Sequence, residues 1–177
     1  MLKVLITYAS AHGTTQSVAE RIESRIKVAN IGSVTVQPID KNPHPSDFDV
    51  LIIGSAIHVG SWLSPASRFV KINKLFLQEQ PRPTWAFSVG MPPKGKREQA
   101  EEESLGKWLR GLVELRGHKL FQGRYQKGDF PWPLSWVFSC FGGKIEDRRE
   151  WDVIEKWADD IVHELRTNPP KLVARRW

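Results

Sequence analysis

Ser10, Thr14 and Thr15 set three hydroxyls around one glycine, Gly13, with Ala11 and His12 between them. The apolar run Leu2 to Ala9 enters this turn and an amphipathic segment leaves it. Strand, turn and helix in that order make an anion site. The turn exposes backbone N–H groups, and the helix start adds its positive end. Gly13 permits torsions or a close approach that a side chain would block. The turn holds no lysine, which excludes the Gly-x-x-x-x-Gly-Lys-Ser/Thr loop of nucleoside triphosphate sites. A single glycine also excludes the Gly-x-Gly-x-x-Gly dinucleotide fingerprint. What remains suits one phosphate monoester wrapped by hydroxyls and amides, with His12 either touching it or facing solvent.

No other set of side chains carries a reaction by itself. The chain shows no carboxylate pair, no Ser/His/Asp set and no His/Glu metal spacing. Chemistry on this scaffold therefore belongs to a bound cofactor, with the protein supplying placement and electrostatics. Cys140 is the one cysteine, which excludes an internal disulfide and favours a reducing compartment. It lies among aromatics and reads as a core thiol.

The elements that must position the turn alternate between strand and helix, as a parallel sheet with crossover helices requires. Leu2–Ala9 reads as the first strand and Thr14–Val28 as the first helix. Ser33–Ile39 is the second strand, followed by a Pro-, Asn- and Asp-rich connection from Asp40 to Asp47. Asp49–Ser55 is a nearly unbroken aliphatic run, the mark of a central strand buried on both faces. Helix Pro65–Leu77, strand Thr84–Val89, helix Arg97–Arg116, strand Lys119–Tyr125 and helix Glu150–Leu165 complete the series. The last helix carries Trp151, Ile154, Trp157, Ala158, Ile161 and Leu165 on one stripe. The expectation is an α/β three-layer sandwich, a five-stranded parallel sheet in the order 2-1-3-4-5 with helices on both faces. That order puts a ligand at the carboxyl ends of the first and third strands. Residues 1–177 read as one domain, with an aromatic-rich insertion at about 126–147.

The formal charge of +6 and pI of about 9.6 are unevenly distributed. Residues 1–67 net 0, 68–128 net +7 and 129–177 net −1. A basic middle can meet an anionic lipid surface or a carboxylated substrate, or be solvated helix surface. Nucleic acid is not expected, since no binding motif accompanies the charge. No apolar segment reaches the length of about 20 residues that crosses a bilayer, and the start does not read as a signal peptide. Within the insertion, Phe130 to Phe141 holds Trp132 and Trp136 among prolines. It fits a lid over the cofactor, a contact at a membrane interface, or a short core helix.

The first turn and its flanks resemble the FMN phosphate signature of flavodoxins. That pattern is aliphatic–x–aromatic–x–Ser/Thr–x–x–Gly–x–Thr–x–x–x–Ala–x–x–aliphatic, carried by Ile6, Tyr8, Ser10, Gly13, Thr15, Ala19 and Ile22. Thr7 departs from the usual apolar residue, though a β-branched threonine still suits a strand. Ile53, Gly54, Ala56, Ile57, Gly60, Phe69 and Val70 are similar to the corresponding region of the menaquinone-dependent protoporphyrinogen oxidase branch of that superfamily. The Gly142-Gly143-Lys144 end of the insertion adds to this likeness.

The resemblance implies bound FMN and three contact loops. Ser10, Ala11, His12, Gly13, Thr14 and Thr15 would take the phosphate. Ser55, Ala56, Ile57, His58, Val59, Gly60 and Trp62 would line the N5 and O4 edge of the ring, and Ser88, Val89, Gly90 and Met91 its pyrimidine edge. Gly60 would permit a peptide orientation that follows flavin oxidation. Trp62 reads either as a ring-stacking cover or as a hydrophobic anchor at the helix start. His58 reads either as a proton donor near N5 or as a surface turn residue. No catalytic side chain is assigned.

The implied function is an FMN-dependent oxidoreductase that joins a hydrophobic or tetrapyrrole-like substrate to a quinone or similar acceptor. The alternatives are an electron-transfer shuttle and a non-catalytic module of the same fold. The implied location is cytoplasmic, with peripheral membrane contact through 130–141 and the basic middle as an open option. The sequence sets no oligomeric state.

Overall fold

The first strand, β1 (Leu2–Ala9), lies between two neighbours and is buried from Val4 to Ala9. In the computed structural model, which describes residues 1–124 and 147–170, its alternate side chains feed two separate cores. Val4, Ile6 and Tyr8 pack with α1 (Thr14–Val28) and α4 (Trp151–Thr167). Leu5 and Ala9 pack with α2 (Ser64–Glu79) and α3 (Lys96–Arg110). The period-two alternation of a strand thus becomes a three-layer sandwich.

The parallel strands are β1, β2 (Gly32–Pro38), β3 (Val50–His58), β5 (Thr84–Gly90) and β6 (Gly117–Gln122), in the order β2-β1-β3-β5-β6. This is the expected order with one addition. A two-residue strand, β4 (Ser61–Trp62), pairs antiparallel with the end of β3. The apolar run therefore extends past Ser55, because the chain reverses tightly at Val59 and Gly60 instead of leaving the sheet.

Most other boundaries shift by one or two residues, and α3 and β6 differ further. Helix α3 ends at Arg110 rather than Arg116, where Gly111, a poor helix former, donates to the carbonyls of Lys107 and Trp108. The chain then enters β6 at Gly117, two residues early, and leaves it at Gln122, before the expected end at Tyr125. The final helix carries the expected stripe, with Ile154, Ala158, Ile161 and Leu165 buried together with Val162. Each such large aliphatic side chain contributes about 1.5–3 kcal/mol on burial.

Most of the insertion, 125–146, including Phe130 to Phe141 and Cys140, lies outside the described residues. Its two feet are described. Arg124 and Asp147 form an antiparallel bridge, and Arg148 N–H donates to Gly123 O at 3.1 Å.

Candidate functional site

Register brings the three expected loops to one row. Ala9 pairs with Ser55, and Ser55 with Ser88, so the chain segments after β1, β3 and β5 leave the sheet side by side. This is the carboxyl edge, where parallel α/β sheets bind ligands.

At the end of β1, Gly13 takes φ +80° and ψ −8°, a left-handed conformation that glycine adopts without strain. Its N–H donates to Ser10 Oγ at 3.0 Å, which closes the turn. Helix α1 then starts with no side-chain cap and no acidic residue in its first turn. Ala11, His12 and Gly13 are exposed, and Ser10 and Thr14 half-buried. Thr15 is fully buried, yet its Oγ1 has no hydrogen-bond partner. A hydroxyl left so costs about 1–3 kcal/mol. An uncapped helix start beside an unsatisfied buried hydroxyl fits an anionic group that accepts from both. The residues present therefore fit the phosphate of FMN. Thr7, the departure in the signature, is a second buried hydroxyl without a partner.

The second loop is a hairpin. Val59 and Gly60 have φ of +50° and +69°, joining β3 to β4 through pairs Ile57↔Trp62 and His58↔Ser61. Two-residue hairpin turns with both φ positive favour Asn-Gly, and a β-branched valine there is strained. Ala56 and Ile57 are half-buried and His58 is exposed. Ser55 is fully buried, its Oγ donating to Ala56 O at 2.8 Å and accepting from Leu63 N at 3.1 Å. The side chain of Ser55 is thus occupied internally. Trp62 is 5% exposed, sits edge-on to Trp108 at 5.8 Å, and donates from Nε1 to Ser88 Oγ at 2.7 Å. That burial fits the second of the two readings, an anchor beneath the hairpin.

The third loop leaves from Ser88 and Val89, both buried, to half-buried Gly90 and Met91. A Cβ on Gly90 would lie 2.9 Å from Ile57 Cδ1, so glycine lets the second and third loops touch. Ser88 Oγ accepts from Trp62 and also meets His118 Nε2 at 2.8 Å. The Ser88 hydroxyl is thus engaged within the protein. His118 was not anticipated, since it stands 30 residues from its partner. Burial pushes its pKa down to about 4, aided by Arg110 and Lys119 and opposed by a hydrogen bond to the Glu102 backbone. Gln122 adds a further tie, donating from Nε2 to Pro92 O at 3.3 Å and Glu98 Oε1 at 2.7 Å.

Beside this row, after the end of β2, a groove of about 630 Å³ opens between residues 39–44 and α2. It exists because the link from β2 to β3 is made of two short 3-10 turns, Ile39–Lys41 and Pro45–Asp47. It shares no lining residue with the three loops. Among the described residues, no helix is long and apolar enough to cross a membrane.

A parallel sheet of this order with an anion corner after its first strand defines the flavodoxin-like class of α/β proteins. The flavodoxin domain family model matches residues 5–132, and the chain belongs to that family. A curated relative, protoporphyrinogen IX dehydrogenase (quinone) of Escherichia coli strain K12, is 22% identical over 175 residues, covering 92% of this chain and 96% of that protein. Two solved structures share the fold. A flavodoxin from the domain Archaea superposes with TM-score 0.60 at 15% identity, covering 93% of this chain and 99% of its own. The Fusobacterium nucleatum flavodoxin bound to flavin mononucleotide gives TM-score 0.54 at 15% identity, covering 94% and 98%.

Proposed function

We propose that the chain holds FMN at the carboxyl edge of β1, β3 and β5 and works as an oxidoreductase. It would join a hydrophobic or tetrapyrrole-like electron donor to a quinone-type acceptor. The observation that carries this reading is the unpartnered, buried Thr15 hydroxyl beside the uncapped start of α1. The name of the Escherichia coli relative supports the donor and acceptor classes.

When bound, FMN supplies the electron-accepting ring, which the side chains here do not. The chain's own residues bind and orient. Ser10, Thr14 and Thr15 hydroxyls and the Ala11 to Gly13 backbone would hold the phosphate, with His12 at the rim. The Ala56 to Gly60 backbone would line the N5 edge, with the exposed His58 side chain beside it. Val89, Gly90 and Met91 would close the pyrimidine edge. The net charge of +7 over 68–128 attracts carboxylates of a donor.

The test is FMN titration, followed by anaerobic reduction and a screen of quinones for turnover. The expected result is one FMN per chain and two-electron exchange with quinone. Absent FMN binding overturns the reading. Binding without quinone turnover moves it to the second reading, an electron shuttle, which the flavodoxin fold matches favour. Ser10→Glu sets a negative charge at the turn and abolishes FMN retention if the corner is the phosphate site.

A further inference from the structure

The hairpin tip is strained and its own pairing is short. Ile57↔Trp62 and His58↔Ser61 pair it, with Leu63 N–H donating to Ser55 Oγ and Ala56 O at its base, and a lone hairpin of that size is marginal in water. Something else must keep Val59 at φ +50°. The candidate is a buried chain of hydrogen bonds crossing three strands.

Trp62 Nε1–H donates to Ser88 Oγ at 2.7 Å, and Ser88 Oγ lies 2.8 Å from His118 Nε2. The indole can only donate, so Ser88 Oγ accepts from it and keeps its own proton and a second lone pair for His118. An unprotonated Nε2 takes that proton, and a protonated one donates to the lone pair. The chain of bonds thus runs from β4 through β5 to β6. Helix α3 closes over the chain at Gly106, where a Cβ would lie 3.2 Å from His118 Nδ1, and at Trp108, edge-on to Trp62.

We propose that Ser88 and His118 are positioning residues. Through Trp62 they hold the Val59–Gly60 turn in its left-handed pair and thereby set the redox poise of the cofactor edge. The redox part rests on FMN being the ligand of this site, whereas the clamp on the hairpin does not. Ser88 removes its hydroxyl from cofactor contact to do this, which explains a fully buried serine on the row from which all three loops depart.

The test compares wild type with Ser88→Ala, Trp62→Phe and the double variant. The first readout is hydrogen exchange of the apo protein. Ser88→Ala leaves the indole N–H unsatisfied, so amides at 58–63 exchange about tenfold faster while those of α1 and α4 are unchanged. Trp62→Phe alone does the same, and the double variant adds little more, as expected for one shared bond. Unchanged or uniformly faster exchange overturns the clamp. The second readout is the ratio of affinities for reduced and oxidised FMN, read as a midpoint potential. A change of about tenfold in that ratio in each single variant supports the redox role, and an unchanged ratio overturns it. Wild type failing to bind FMN would sink the proposed function, while the exchange experiment would still decide the clamp.

Discussion

Arg149 donates from Nη1 to Ser17 Oγ at 2.8 Å, tying the foot of the insertion to the first turn of α1. The guanidinium is also held by Asp147 through two hydrogen bonds and lies over the Trp151 ring, 4.5 Å from its centroid. Arg21 stacks on the same ring at 4.8 Å. Replacing Arg149 leaves Ser17 and Asp147 without this partner at a site where the side chain is only 10% exposed. Arg149→Ala is therefore expected to lower unfolding free energy by about 1–3 kcal/mol, measured by urea denaturation. Arg149→Lys recovers little, because an ammonium cannot reproduce the paired, planar contact.

Thr15→Val is expected to move stability and ligand affinity in opposite directions. Valine keeps the branched shape but removes the hydroxyl that has no partner. The apo protein gains stability, by about 1 kcal/mol, since a desolvated polar group is gone. FMN affinity falls about tenfold, since one donor to the phosphate is gone. Thermal unfolding without ligand and fluorescence titration with FMN separate the two effects. A fall in apo stability would show that the hydroxyl is satisfied within the protein.

Local signals made β1, α1 and the phosphate turn legible. A buried strand, a left-handed glycine and an amphipathic helix are each written in a few consecutive residues. The extension of β3 was hidden because a Val-Gly turn lacks the Asn-Gly signature of such hairpins. The roles of Ser88, His118 and Arg149 were hidden for another reason. Their partners lie 30 and 132 residues away, and only the sheet register and the packing of α4 bring them together. Trp62 shows the same limit from the other side. Its residue type suits a ring cover or an anchor equally, and burial beneath the hairpin decides between them.

Val59→Asn is expected to stabilise the protein by about 1 kcal/mol. The side chain is 88% exposed, so little packing is lost, while φ +50° is a region asparagine tolerates and a β-branched residue resists. Chemical denaturation gives the sign. A neutral or destabilising result would mean that Val59 makes contacts that compensate its backbone.

His118 makes stability depend on pH in a defined window. Its folded pKa is pushed down to about 4, chiefly by burial, with Arg110 and Lys119 adding repulsion and the Glu102 backbone opposing. The ordinary value is 6.5, so between these limits the unfolded chain binds a proton that the folded chain refuses. Stability is fully present above about pH 6.5, falls as pH drops through the window, and stops falling below about pH 4. At about 1.4 kcal/mol per unit the loss is on the order of 3 kcal/mol. His118→Gln keeps an acceptor for Ser88 but cannot titrate. Asp147, whose carboxyl Arg149 holds below its usual range, contributes equally to both proteins and cancels in the comparison. Urea denaturation at about pH 7 and about pH 4.5 is expected to cost wild type about 2–3 kcal/mol more than the variant. Equal losses would mean that the imidazole accepts its proton without disturbing the chain from Trp62 to His118.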